Sequence, residues 1–180
     1  MTFTSYAAAN DSVNEYAPAF TAARTAVGVQ VISGGGLDGI TATALKFQFS
    51  KTGSPTGNVY ASIYTPPVGA GLGTLRATSA GVDITTIGSG TTYDFPLLVN
   101  YTLQTDDMVC IEYAYTSGSF AIGRDTDETQ PSDFDNSQMP GTWEVSGDYY
   151  STYLIVTTGS PPVVSGGTRL PPPPIVLGGL

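Results

Sequence analysis

Fifteen carboxylates and no histidine set the chemistry open to this chain. Acid–base work would fall to Asp and Glu alone. The four glutamates are Glu15, Glu112, Glu128 and Glu144. Glu112 stands out because it lies in the apolar run Met108 to Tyr115, where burial would raise its pKa toward the range of a general acid. Glycoside hydrolysis needs only two facing carboxyls, so a pair drawn from this set is conceivable in chemical terms. The alternative, an outward-facing strand residue near a loop, is the reading adopted for Glu112. The chain has no Gly-x-Ser-x-Gly elbow, no Gly-Lys-Ser/Thr phosphate loop and no cysteine spacing suited to a metal. A non-enzymatic protein without cofactor or metal is therefore expected.

The acidic stretch Asp125 to Asn136 is rich in the oxygen ligands that calcium takes from one loop. It fails the EF-hand pattern, since Gln130 stands where glycine is required and Asn136 where the bidentate glutamate belongs. A solvated loop is expected. The aromatics Tyr60, Tyr64, Trp143, Tyr149, Tyr150 and Tyr153 offer flat rings for stacking on a sugar. Tyrosine is equally an ordinary strand residue, and the structural reading is taken here.

The end of the chain carries a different kind of chemistry. Pro171, Pro172, Pro173 and Pro174 form a run that favours an extended polyproline-II rod, followed by the apolar residues Ile175, Val176, Leu177 and Leu180. A rod that is already extended loses little entropy on docking, and an apolar end can seat in a groove or add to a sheet edge. These eight residues are the candidate partner-binding site.

The rest of the sequence is what must carry such a site. Many Thr, Ser, Val and Tyr residues, 22 Gly and 13 Pro suit short strands joined by turns. Leu45, Phe47 and Phe49 alternate with Lys46, Gln48 and Ser50, and Val59, Ala61 and Ile63 repeat the pattern after Lys51 to Gly57. Period-two alternation on either side of a Gly/Ser/Pro/Thr stretch predicts two sequential strands around a turn. Ala26 to Ile32, a strand from about Ile40, Val82 to Thr85, Thr91 to Phe95 and Val99 to Leu103 read as further strands. Met108 to Tyr115 reads as a central strand with a hairpin partner at Phe120 and Ile122, and Thr142 to Val145 and Tyr149 to Thr158 close the fold.

About eight strands at this spacing predict an all-β antiparallel β-sandwich of jelly-roll type. The expected organisation is an N-terminal arm over residues 1–24, interrupted by Pro18, a β-sandwich domain over 25–158 and a Pro/Gly-rich extended tail over 159–180.

Charge narrows the partners. Six basic residues against fifteen acidic ones give a net charge of -9. Nucleic acid draws on clustered Lys and Arg, so it is excluded as a partner. Cys110 is the single cysteine, and its apolar surroundings predict a buried, inert thiol. No run approaches membrane-spanning length. The first residues lack a basic and then apolar leader, so a soluble protein made in the cytoplasm is expected.

Residues 40 to 158 resemble the β-sandwich modules of phage structural and fibre proteins and of anchored bacterial surface proteins. The resemblance lies in a Phe-rich strand leading to Gly53-Ser54-Pro55-Thr56-Gly57-Asn58 and then Ile63-Tyr64. It continues in Leu103 to Tyr113 and in Gly141-Thr142-Trp143. Such motifs speak to fold more than to activity. The resemblance implies a virion structural protein, a capsid decoration or cement protein of a tailed phage. It would sit on the virion surface, form a homo-oligomer and dock on the major capsid protein or other virion subunits through its terminal extensions. Two alternatives are a carbohydrate- or receptor-binding module that takes a surface glycan, and an extracellular filament subunit that exchanges a terminal strand.

Overall fold

The computed structural model describes residues 4–8, 15–22, 24–31, 33–34, 37–66, 72–125, 135–139, 142–145, 151–152 and 154–158. Its strands are β1 (Thr4–Ala8), β2 (Glu15–Phe20), β3 (Ala26–Gln30), β4 (Thr41–Tyr64), β5 (Leu75–Thr78) and β6 (Val82–Asp83). They continue as β7 (Thr91–Thr102), β8 (Met108–Asp125), β9 (Asp135–Met139), β10 (Thr142–Val145), β11 (Ser151–Thr152) and β12 (Leu154–Thr158). Every ladder is antiparallel, and together they join all twelve strands in one sheet whose main path runs β1-β12-β4-β8-β3-β9-β10. The all-β antiparallel class is as expected.

β4 is the axis of this sheet, and it is one strand where two were expected. Lys51 to Gly57 does not reverse the chain. Between the pairs Thr52↔Ser119 and Thr56↔Ser117, the three residues Gly53, Ser54 and Pro55 stand opposite Gly118 alone. The excess residues are absorbed as a bulge, with Gly53 at φ 71° and Gly118 at φ 74° supplying backbone that other residues adopt at a cost. The apolar alternation survives the bulge: Leu45, Phe47 and Phe49 before it and Val59, Ala61 and Ile63 after it are all fully buried.

The same correction applies to β8. Phe120 and Ile122 belong to the strand of Met108 and not to a hairpin partner, because Thr116, Ser117 and Gly118 kink the chain without turning it. Along the other edge of β8, β3 faces Glu112 to Met108 and β2 faces Arg124 to Phe120. Between them, Thr21 and Arg24 close a tight turn through reciprocal 3.1 Å hydrogen bonds. Three neighbouring strand tracks thus break at one level, and both halves of the kinked sheet send side chains into a common core.

Aromatic rings fill the inside of the kink. Phe20 stacks on Phe120 with centroids 4.4 Å apart, and Phe120 also meets Tyr113 at 4.8 Å and Phe49 at 5.7 Å. Phe95 extends the cluster toward Phe49 and Phe47. Such ring pairs add roughly 0.5–1.5 kcal/mol each beyond the area they bury.

Other expected elements shift for identifiable reasons. Two stretches of the expected arm are strands of this sheet: β1 pairs with β12, and β2 pairs with β8 and contributes Phe20 to the core. Pro18, which lacks an N–H for the ladder, sits where the β2–β8 register shifts between Tyr16 and Ala19. The strand expected over Val82 to Thr85 ends at Asp83, whose carboxylate accepts a 2.9 Å hydrogen bond from the Thr85 N–H and caps a 3₁₀ turn over Ile84–Thr86. Thr91 to Phe95 and Val99 to Leu103 merge into β7. The expected tail, 159–180, lies outside the described residues, as do 126–134 of the acidic loop.

Candidate functional site

The predicted partner-binding residues Pro171, Pro172, Pro173, Pro174, Ile175, Val176, Leu177 and Leu180 lie outside the described residues. The described structure does define the place from which that segment departs. β12 has a strand on each side: Thr158 is in register with Thr4 of β1, and Thr157 with Ala44 of β4. The Thr43 hydroxyl, on a nearly fully buried residue, donates a 2.9 Å hydrogen bond to the Thr157 carbonyl. The root of the C-terminal segment is therefore held on both edges and pinned by a side chain.

Across β4 from this root, β7 leaves its ladder. Ala42 pairs with Tyr101 and Ala44 with Pro96, so Leu97 to Asn100 stand opposite Thr43 alone. Leu97 turns into the core at 6% exposure, and its backbone bridges to Ser79. Leu98 and Val99 point outward, at 68% and 66% exposure. Ser79, fully inside, holds the neighbouring end of β5: its N–H donates to the Ala61 carbonyl at 2.8 Å and its hydroxyl accepts from the Ala61 N–H at 3.0 Å. Leu75, at the other end of β5, is the remaining large exposed hydrophobic side chain among the described residues. This apolar ledge was not anticipated from sequence. The signal for it is Leu97-Leu98-Val99 following Pro96, a run with no alternation in which even a regular strand must leave an apolar side chain facing outward.

Among the described residues, the strand registers place Glu15, Glu112 and Glu144 in three different rows. Glu112 accepts a 2.9 Å hydrogen bond from the Tyr64 hydroxyl, and it lies across from Tyr60 and Ala26. Burial, followed by the Glu112 charge, drives the Tyr64 hydroxyl well above its ordinary pKa. Next to them the Cys110 thiol is completely buried and pushed strongly upward by desolvation, with Glu112 adding to it. Cys110 is buried, as its surroundings predicted. Glu15 is in register with Arg124 at the opposite end of β8. Glu144 falls in the register row of Ser137, Val27 and Ile111, one row off Glu112, so the strands bring neither to it.

A second group of acids gathers where β3 and β8 meet. The Asp38 carboxylate accepts from the Gly34 N–H at 3.1 Å and the Thr105 hydroxyl at 3.3 Å. Asp106, at φ 71°, accepts from the Gln30 amide at 3.2 Å, and buried Asp107 accepts from the Gln104 N–H at 2.9 Å. These carboxylates are engaged in holding loops. Among the described residues no group of three or more His, Cys, Asp or Glu side chains is placed to hold a metal ion.

Of the aromatics considered for sugar stacking, Tyr60 rests against Gly81, where an added Cβ would come within 2.7 Å of its ring. Tyr64 is tied to Glu112. The side chains of Trp143, Tyr149, Tyr150 and Tyr153 lie outside the described residues. No helix of the described residues is long and apolar enough to cross a membrane. Compared with family models, curated proteins and solved structures, the chain matches none.

Proposed function

We propose that this chain is a non-enzymatic structural protein of a virion, a decoration or cement protein of a tailed phage that docks on the shell or on neighbouring subunits through its C-terminal segment. The observation that carries the reading is the double-edged anchoring of β12, which ends at Thr158 ahead of the sequence that holds Pro171 to Pro174 and the apolar residues after them. A docking tether transmits load only if its root does not peel away. A strand with ladders on both edges must break two rows of hydrogen bonds to do so. The resemblance of residues 40 to 158 to phage structural modules supports the same reading. So does the net charge of -9, which favours solubility at the copy numbers a shell demands.

Removal of residues 160–180 tests it. The truncated protein is expected to keep the thermal unfolding midpoint of the full chain and to lose its place on assembled particles. Undiminished occupancy would overturn the docking role.

A further inference from the structure

We infer that the Tyr64 side chain is a lid on one face of the sheet, latched by its hydrogen bond to Glu112, and that this lid opens while the ladders beneath it stay closed. Access to the Ser62–Cys110 row then depends on one hydrogen bond. The device does not depend on the proposed docking role.

Tyr64 faces Met108 across the β4–β8 ladder, whereas Glu112 faces Tyr60. The two residues that meet through the 2.9 Å bond thus belong to levels four residues apart, about 14 Å along the strands. Each side chain must lean along the sheet toward the other. Midway between their levels stands the pair Ser62↔Cys110. Because successive side chains alternate between faces, Ser62, Tyr64, Cys110 and Glu112 share the face opposite to the core residues Ala61, Ile63, Val109 and Ile111.

The row under the bridge is built of small residues. It runs from Thr78 of β5, in register with Ser62, to Gly28 of β3, in register with Cys110. Gly28 has no alternative there, since a Cβ would come within 2.5 Å of the Cys110 Cβ. A ring can therefore lie across the row. Ser62 is 1% and Cys110 0% exposed although neither side chain is large. Tyr64 comes close enough to both for each to act on its hydroxyl, so its ring roofs them.

A hydrogen bond to a carboxylate favours the closed lid roughly ten- to a hundredfold. Opening the strands below is harder. Ser62 is paired on both edges, to Cys110 and to Thr78, and its hydroxyl meets that of Thr78 at 3.0 Å. Rotation of the Tyr64 side chain breaks neither ladder, which makes the lid the low-cost motion of this face.

Cys110, the single cysteine, reports the open state. The full chain is exposed under native conditions to methyl methanethiosulfonate, a small neutral probe that transfers its thiomethyl group to the thiolate while methanesulfinate leaves. The labelling rate, read by mass, is divided by the global unfolding rate of the same protein. In the parent chain this ratio should not exceed about one. Tyr64→Phe keeps the ring and removes the latch; its ratio should rise at least about tenfold, with labelling proportional to probe concentration. Tyr113→Phe, which loses a hydroxyl on the core face, should label no faster than it unfolds. A Tyr64→Phe ratio equal to that of Tyr113→Phe would overturn the inference. So would labelling of the parent chain well ahead of its unfolding, because the closed lid would then not shield the thiol.

Discussion

Gly118 lies directly against Pro55: a Cβ built on Gly118 would come within 2.5 Å of the Pro55 Cα and 2.8 Å of its nitrogen. The bulge of β4 and the kink of β8 therefore interlock, and Gly118 meets two demands at once, a φ of 74° and an absent side chain. Gly53 shares the positive φ but has open space around it. Gly53→Ala should cost about 1 kcal/mol, the left-handed penalty alone. Gly118→Ala should cost about 3 kcal/mol, since overpacking adds to that penalty. Urea unfolding of the two variants measures the difference; equal costs would mean that the bulge can slide off Gly118.

Tyr113 fastens the same kink from inside. Its hydroxyl is shared between the Thr56 carbonyl at 2.6 Å and the Ser117 carbonyl at 2.8 Å, one from each strand, while its ring packs edge-on against Phe120. Tyr113→Phe keeps the ring and removes this donor from both carbonyls, of which that of Thr56 still accepts from the Thr116 hydroxyl. The expected loss is about 1–2 kcal/mol. Faster amide exchange should be confined to Thr56 and Thr116 to Gly118, and a global rise in exchange would show that the hydroxyl supports more than the kink.

The parts of the fold legible in the sequence are those where a local pattern and the tertiary partner agree. Period-two alternation correctly placed Leu45, Phe47, Phe49, Val59, Ala61 and Ile63 in the core. The same residue types were misread between them. Gly53 to Gly57 and Thr116 to Gly118 carry turn chemistry, but a turn and a bulge make the same local demands on the backbone. What decides between them is whether a matching break faces them across the ladder, and no single segment carries that information. The arm was misread for a related reason: Ala7, Ala8, Ala17 and Pro18 have little intrinsic strand preference, and β1 and β2 exist because β12 and β8 offer edges to pair with. The ledge was missed because exposure of Leu98 and Val99 follows from a three-residue shift in the β4–β7 register.

Alkaline pH should weaken the fold through Tyr64 and Cys110. The Cys110 thiol and Tyr64 hydroxyl both have folded-state pKa values raised above their ordinary ones, with burial the main cause in each. A raised pKa means that the folded form holds its proton where the unfolded form releases it. The associated stability is complete below the unfolded value and falls as pH rises above it. Loss is therefore expected to begin near the ordinary thiol value of 9.0 and to steepen past the ordinary tyrosine value of 10.0. Unfolding midpoints in urea between pH 8 and 11 should decline more shallowly for Cys110→Ala than for the parent chain. A thiol reagent should modify Cys110 no faster than the chain unfolds. Parallel pH profiles for the two proteins would remove Cys110 as the titrating group.

Three consecutive residues, Leu97, Leu98 and Val99, provide the sharpest test of the β7 bulge. They are similar in type and adjacent in sequence, yet only Leu97 is buried. Its bridge to Ser79 links β7 to β5, and Ser79 in turn is bonded to Ala61 of β4. Leu97→Ala should therefore cost about 2–4 kcal/mol, as deletion of a core leucine side chain does. Leu98→Asp and Val99→Asp replace side chains that face water, so each should change stability by no more than about 0.5 kcal/mol. A regular strand would alternate, burying Leu97 and Val99 together and exposing Leu98. A large cost for Val99→Asp would thus indicate an unbroken β7, whereas a cost confined to Leu97 matches a strand that leaves its ladder opposite Thr43. Chemical denaturation of the three single variants distinguishes these outcomes, and the two aspartate variants serve as folded controls for any measurement on the ledge.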